Sequence, residues 1–236
     1  MPTNRVAELQ LRGRAGTLQG RVYWPGPSVA RQARLLVFWT VAGDGTWCQE
    51  LSASAGLVVL AVACGRPWTA ALDDAVTAAG WAAENTARLG ADPRELLVGG
   101  TGPEGTLAAA VAVHAHAAGW PAFSRQVLVC PSPAEPMPPS LAGVAPATAV
   151  TVEHDPGGDE GRYASLLRRA GVAVDELYYA APDPSSAVRI RTGRQLLADL
   201  GAALSTQAGD HPRSRKAGKD ARDDRTPGPE RHHDAS

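Results

Sequence analysis

The feature that most constrains this chain is an alternation of two periods. Short β-type runs, Val6–Leu11, Leu18–Tyr23, Leu35–Trp39, Leu57–Val62, Leu96–Val98, Gln126–Val129, Ala149–Val152 and Ala173–Tyr179, recur along it, and from the third onward helical segments separate them. Strands that alternate with helices build crossover units, and crossover units build a mostly parallel sheet covered on both faces. The helical segments carry their own signature. Leu72, Val76, Ala79 and Ala83 fall at i, i+4, i+7 and i+11 after Pro67, while Asp73, Asp74, Glu84 and Arg88 take the opposite side. Tyr163, Leu166, Leu167 and Ala170 repeat the pattern up to Gly171, and a last helix carries Leu196, Leu197, Leu200 and Leu204. The first two runs, joined around Gly13–Gly16, have hairpin spacing and predict an antiparallel start to the sheet.

The connections are equally legible. Pro131–Pro146 holds six prolines in sixteen positions and predicts a surface crossing without regular structure. From Asp210 to Ser236, seven Lys/Arg face six Asp/Glu with no large aliphatic residue, which predicts a solvated tail unable to offset its own ordering entropy. The expected organisation is therefore one α/β domain over residues 1–205 and a disordered polar tail over 206–236. A net charge of -1 with interspersed signs gives no footprint for nucleic acid or an anionic membrane surface. No run approaches the roughly 18 apolar residues of a membrane span. Cys48, Cys64 and Cys130 are widely spaced and odd in number, so no metal, cofactor or disulfide framework is expected, and the simplest home is a reducing cytoplasm.

Four stretches add a family. Pro67–Asp74 with Trp81–Glu84 and Leu89-Gly90-Ala91-Asp92-Pro93, then Asp155-Pro156-Gly157-Gly158-Asp159-Glu160-Gly161 followed by Tyr163 and Leu166–Val172, resemble the hormone-sensitive-lipase type of α/β-hydrolase, the bacterial esterases. The resemblance spans roughly Leu9 to Leu204. It implies an α/β-hydrolase fold with a mostly parallel eight-stranded sheet, a reduced lid and a Ser-His-Asp triad. It also implies a small acyl or ester-like ligand. Its partner expectation is a second copy, paired through Ala173–Tyr179 and Leu196–Leu204, or an active relative.

Set on this pattern, the chemistry-bearing positions are depleted. The first aspartate of the second motif, Asp155, matches the acid that orients the catalytic histidine, although a helix cap at Gly157–Ala170 is the plainer reading of it. The nucleophile elbow, GxSxG between strand and helix, aligns with Gly100-Thr101-Gly102-Pro103-Glu104, so Gly102 stands where the serine belongs. Shifting the elbow by one residue makes Thr101 an alternative nucleophile, at the cost of a branched side chain in a strained turn. Ser132, Ser185 and Ser186 are the other hydroxyls considered for a relocated site. The glycine-rich oxyanion element after the third strand reads Thr40-Val41-Ala42-Gly43, which puts Val41, Ala42 and Gly43 at the oxyanion-loop positions and leaves backbone N–H groups at Ala42 and Gly43. The loop that should hold the histidine, Tyr179–Ser186, contains none.

Other motifs carry less. Gly100–Gly105 also spells GxGxxG, but Pro103 removes an N–H from any phosphate cradle and Glu104 adds negative charge beside it. His114 and His116 lie two apart on a helix and so face different sides. His154 is expected to project away from its neighbour Asp155, and the tryptophans Trp39, Trp47, Trp68, Trp81 and Trp120 to pack between sheet and helices.

Overall fold

A computed structural model of the chain describes residues 5–14, 16–26, 33–40, 45–63, 68–131, 140–155, 161–191, 193–205 and 215–216. All eight expected strands form: β1 (Val6–Arg12), β2 (Thr17–Tyr23), β3 (Ala33–Thr40), β4 (Val58–Ala63), β5 (Ala91–Thr101), β6 (Arg125–Val129), β7 (Ala147–Val152) and β8 (Val174–Tyr179). A two-residue β9 (Arg215–Lys216), inside the segment expected to be tail, pairs with Leu177 and Tyr178 of β8. The rest of residues 206–236 lies outside the described residues. The sheet runs in the order β1-β2-β4-β3-β5-β6-β7-β8-β9. The β2 strand is antiparallel to both β1 and β4, and β3 through β9 are parallel.

Both faces of this sheet are covered, and the strands show why. Along β3, Leu35, Val37 and Trp39 enter one core while Leu36 and Phe38 enter the other, because successive strand residues point to opposite faces. The helices α2 (Trp68–Asn85), α3 (Pro103–Ala118) and α4 (Arg162–Arg169) cover the first face. The second is covered by α1 (Gly45–Ala55), α5 (Pro184–Arg191) and α6 (Arg194–Ser205). Small residues let α2 and α3 come close to the sheet: Ala75, Ala79, Ala82, Ala108 and Ala112 are all buried. No helix among the described residues is long and apolar enough to cross a membrane.

Three expectations are corrected. The β5 strand begins at Ala91, through Asp92-Pro93, where the pairing with β3 shifts register between Ala33 and Leu35; an irregular ladder tolerates a proline that cannot donate. Helix α4 starts at Arg162 on a left-handed Gly161 (φ 85°), so Asp155 does not cap it. Trp120 is 51% exposed, its ring seated on α2 at Gly80, where an added Cβ would lie 2.9 Å from the indole.

Candidate active site

The strand order reverses between β3 and β5, because the chain leaves β3 for β4 on one side and returns from α2 to β5 on the other. In open α/β sheets such a switch point leaves a crevice beyond the carboxyl ends of the strands, where ligands bind. Here the carboxyl ends of β3, at Thr40, and of β5, at Thr101, flank that crevice. Val41, Ala42 and Gly43, the oxyanion positions, lie outside the described residues.

The turn after β5 is a sharp strand-to-helix turn, the backbone shape that a nucleophile elbow requires. Gly102 has φ 55° and ψ -126° and immediately precedes α3. Its N–H donates to the Val129 carbonyl at 2.8 Å, and its carbonyl accepts from the Thr106 N–H at 3.1 Å. Two flanking glycines make so sharp a strand-to-helix turn feasible. A Cβ at Gly100 would overlap the Glu104 carbonyl oxygen, and one at Gly105 would lie 2.9 Å from the Gly100 carbonyl oxygen. At Gly102 itself an added Cβ would meet nothing within 4 Å, so the tip faces open space. Thr101 is the last ladder residue, paired with Val129, and the positive φ belongs to its neighbour.

Pro103, the first residue of α3, has a consequence that the motif alignment does not expose. In an elbow, the N–H following the nucleophile donates to the oxyanion. Proline has no N–H, so that donor is absent whatever residue occupies the tip. The signal is present in the sequence, but it acquires this meaning only once Gly102 is fixed as the tip. Glu104 adds an acidic side chain in the first turn of the same helix.

At the end of β7, Asp155 is buried (5%) and its N–H donates to the Val152 carbonyl at 3.3 Å. The first aspartate of the second motif thus lies buried three residues beyond the end of β7, while Pro156–Glu160 fall outside the described residues. His154 takes a left-handed backbone (φ 56°), as does the buried Cys130 at the end of β6 (φ 46°). Non-glycine residues in that region carry strain and gather at functional sites. The imidazole of His154 reaches across to the β8 loop, with Nδ1 2.9 Å from the Ala181 carbonyl oxygen. A carbonyl only accepts, so Nδ1 is the protonated nitrogen of that contact.

The loop after β8 is shorter than expected, because Pro184–Ser186 belong to α5. Asp183 caps that helix: its carboxylate accepts from the Ser186 N–H at 2.9 Å and from the Ser185 and Ser186 hydroxyls. These bonds, the Ser185 hydroxyl first, hold the Asp183 carboxyl well below the usual carboxylate range. Both serine hydroxyls are thereby donated to a cap, and Ser132 lies outside the described residues. Around the site, Trp39 is fully buried and Trp47 stacks on Phe38 with ring centroids 5.0 Å apart.

Similarity follows the same geometry. A family model described as the α/β hydrolase fold matches residues 37–139, from within β3 to beyond β6. Esterase LipI of Mycobacterium tuberculosis is 30% identical, over 74% of this chain and 72% of LipI. The chain belongs to the α/β-hydrolase fold family. Within that family its relatives are carboxylesterases: Carboxylesterase NlhH of Mycobacterium tuberculosis is 27% identical over 74% of each chain. Esterase LipW from Mycobacterium marinum superimposes with a TM-score of 0.70 at 26% identity, covering 86% of this chain and 81% of LipW. An esterase of Pyrobaculum calidifontis shares the α/β-hydrolase fold at a TM-score of 0.74 and 24% identity, over 85% of this chain and 84% of its own.

Proposed function

We propose that this chain is a catalytically silent α/β-hydrolase that binds, without cleaving, a small acyl or ester-like ligand or an active relative. The observation that carries the reading is the elbow tip: a glycine at φ 55° and ψ -126°, followed by a proline. An acyl transfer needs an atom to attack the carbonyl, a base to take its proton and donors for the developing oxyanion. Gly102 offers no attacking atom, the loop over Ala180–Asp183 carries no histidine of its own while the His154 imidazole beside it is engaged by the Ala181 carbonyl, and Pro103 offers no donor. Removing one oxyanion donor alone costs about 100- to 1000-fold in kcat, and loss of a triad costs about a millionfold. Together these losses bring ester cleavage to the level of buffer. The names of the mycobacterial relatives supply the ligand class, carboxylic esters, and the retained acid, Asp155, is a relic of the triad in this reading. It needs no cofactor or metal.

Two measurements test the proposal. Short-chain p-nitrophenyl esters are expected to turn over at the buffer rate, and a fluorophosphonate probe is expected to leave no adduct by intact-mass spectrometry. A saturable turnover abolished by one substitution, at Thr101 for instance, would overturn the silent reading while leaving the fold untouched.

A further inference from the structure

Strand β8 is where the sheet would end if the C-terminal segment took no part in it. Its residues are all half-buried or exposed, whereas β7 beside it is buried throughout. The ladder with β7 fixes which of its backbone groups are spare. The Glu153 N–H donates to the Tyr179 carbonyl and the Ala147 N–H to the Ala173 carbonyl, and alternate residues of a strand turn their N–H and C=O to the same side. Asp175, Leu177 and Tyr179 therefore face β7, while Val174, Glu176 and Tyr178 turn theirs outward.

An outward row of this kind is a template for any extended chain, and folds blunt it with charge or cover it. The two edges of this sheet differ in how they do so. Along β1 the exposed positions include Glu8, Gln10 and Arg12. On β8 the charge stops at Glu176, leaving Leu177-Tyr178-Tyr179 uncharged and of high strand propensity, with Tyr178 38% exposed. It is this uncharged end that β9 covers, with Arg215 opposite Leu177 and Lys216 opposite Tyr178. The chain reaches it through α5 and α6, so β8, these helices and β9 form one more crossover unit of the kind that parallel strands require.

We infer that the Arg215–Lys216 segment is an edge guard: it adds to β8 of its own chain and keeps the Leu177–Tyr179 end from taking a strand from another. The register gives its two residues different parts. Arg215, opposite Leu177, lies between the outward groups of Glu176 and Tyr178, so its N–H is aimed at the Glu176 carbonyl and its carbonyl at the Tyr178 N–H. The Lys216 backbone groups point away from β8. Proline has no N–H and is tolerated on an edge strand only where that N–H would face away, so it should break the guard at 215 and leave it intact at 216. The elbow is separated from β9 by β6, β7 and β8, and the inference is independent of catalytic silence.

The experiment compares the full chain with its Arg215→Pro and Lys216→Pro variants by amide hydrogen exchange, read residue by residue in NMR spectra, and by sedimentation velocity. In the wild type and Lys216→Pro, the Tyr178 N–H is expected to exchange at least about tenfold more slowly than an unprotected amide, and in Arg215→Pro at the unprotected rate. The Leu177 N–H, which faces β7, should stay protected in all three and so report that the sheet remains folded. Arg215→Pro is expected to self-associate at concentrations about tenfold lower than the other two. A Tyr178 amide unprotected in the wild type, or two proline variants that exchange alike, would show that β9 is not the strand partner of β8. Self-association equal in Arg215→Pro and the wild type would overturn the guarding role even with the ladder in place.

Discussion

Replacing Gly102 by serine separates what the elbow has kept from what it has lost. Sterically the change is free, since a Cβ there would meet nothing within 4 Å. Conformationally it is not: φ 55° with ψ -126° is a region that side-chain-bearing residues rarely adopt, at a cost of about 1–3 kcal/mol. Restricting the unfolded chain returns about 0.4–1 kcal/mol. The net loss is about 1–2 kcal/mol, or about 2–8 °C in Tm for a domain of this size. Gly102→Ala is expected to lose the same amount, because the strain belongs to the backbone. Gly100→Ala is expected to lose more, about 3 kcal/mol or beyond, because its Cβ would overlap the first turn of α3. Thermal unfolding followed by circular dichroism reads all three. The serine variant is also expected to leave p-nitrophenyl butyrate uncleaved, since Pro103 still lacks the oxyanion N–H. If it gains turnover, and that turnover disappears on His154→Ala, then His154 is a usable base and the account given for the proline is refuted. If Gly102→Ala is neutral, the elbow is relaxed and the strain argument fails.

Three further outcomes follow from side chains away from the elbow. Burial, and then the 2.7 Å hydrogen bond to Asp199, push the Tyr179 phenol upward, so the folded chain keeps a proton that the unfolded chain releases near pH 10. That stability is complete below pH about 10 and is lost as pH rises further; alkaline melts should fall more steeply for the wild type than for Tyr179→Phe. Asp183 has the opposite sign. Its carboxyl is held low, so its contribution is present above the ordinary carboxylate range and disappears as pH falls through the folded value; Asp183→Asn should flatten the acid limb of the stability curve. Asp74→Ala removes the acceptor for the Arg14 N–H at the β1–β2 turn and should cost about 1–3 kcal/mol in urea unfolding with the m-value unchanged.

The central strands were readable because they are buried on both faces: runs such as Leu35–Trp39 and Leu57–Val62 are apolar at every position. What escaped reading was set by partners distant in sequence. Asp92-Pro93 reads locally as a turn, and only the slipped register opposite Ala33 makes it strand. Asp155 looks like a cap because a helix follows, yet the helix waits for Gly161, whose lack of a side chain suits the left-handed turn. Trp120 reads as core because indoles usually are, and the seat that holds it half exposed is a glycine forty residues earlier on another helix. At the site, vacancies were easier to read than geometry. The absence of serine and histidine needs only an alignment, whereas the lost oxyanion donor at Pro103 needs the conformation of Gly102.

That conformation also bears on why so sharp a turn persists where glycine stands at its tip. In a working elbow, a serine held at positive φ stores strain that the surrounding fold must offset. Glycine adopts the same angles without that penalty, and proline at the first position of α3 fixes a φ the helix needs and forgoes an N–H no helix partner claims. Gly102 has no hydroxyl and Pro103 no N–H, and each favours the folded chain, the first by relieving strain and the second by presetting the helix start. The trade of activity for stability is a general one, and here it predicts a direction. Pro103→Ala should lower stability by restoring freedom to the unfolded chain, about 0.4–1 kcal/mol, while supplying the missing N–H. A Pro103→Ala variant more stable than the wild type would mean that the proline strains the elbow, and the reading of these two residues as stabilising replacements would have to be given up.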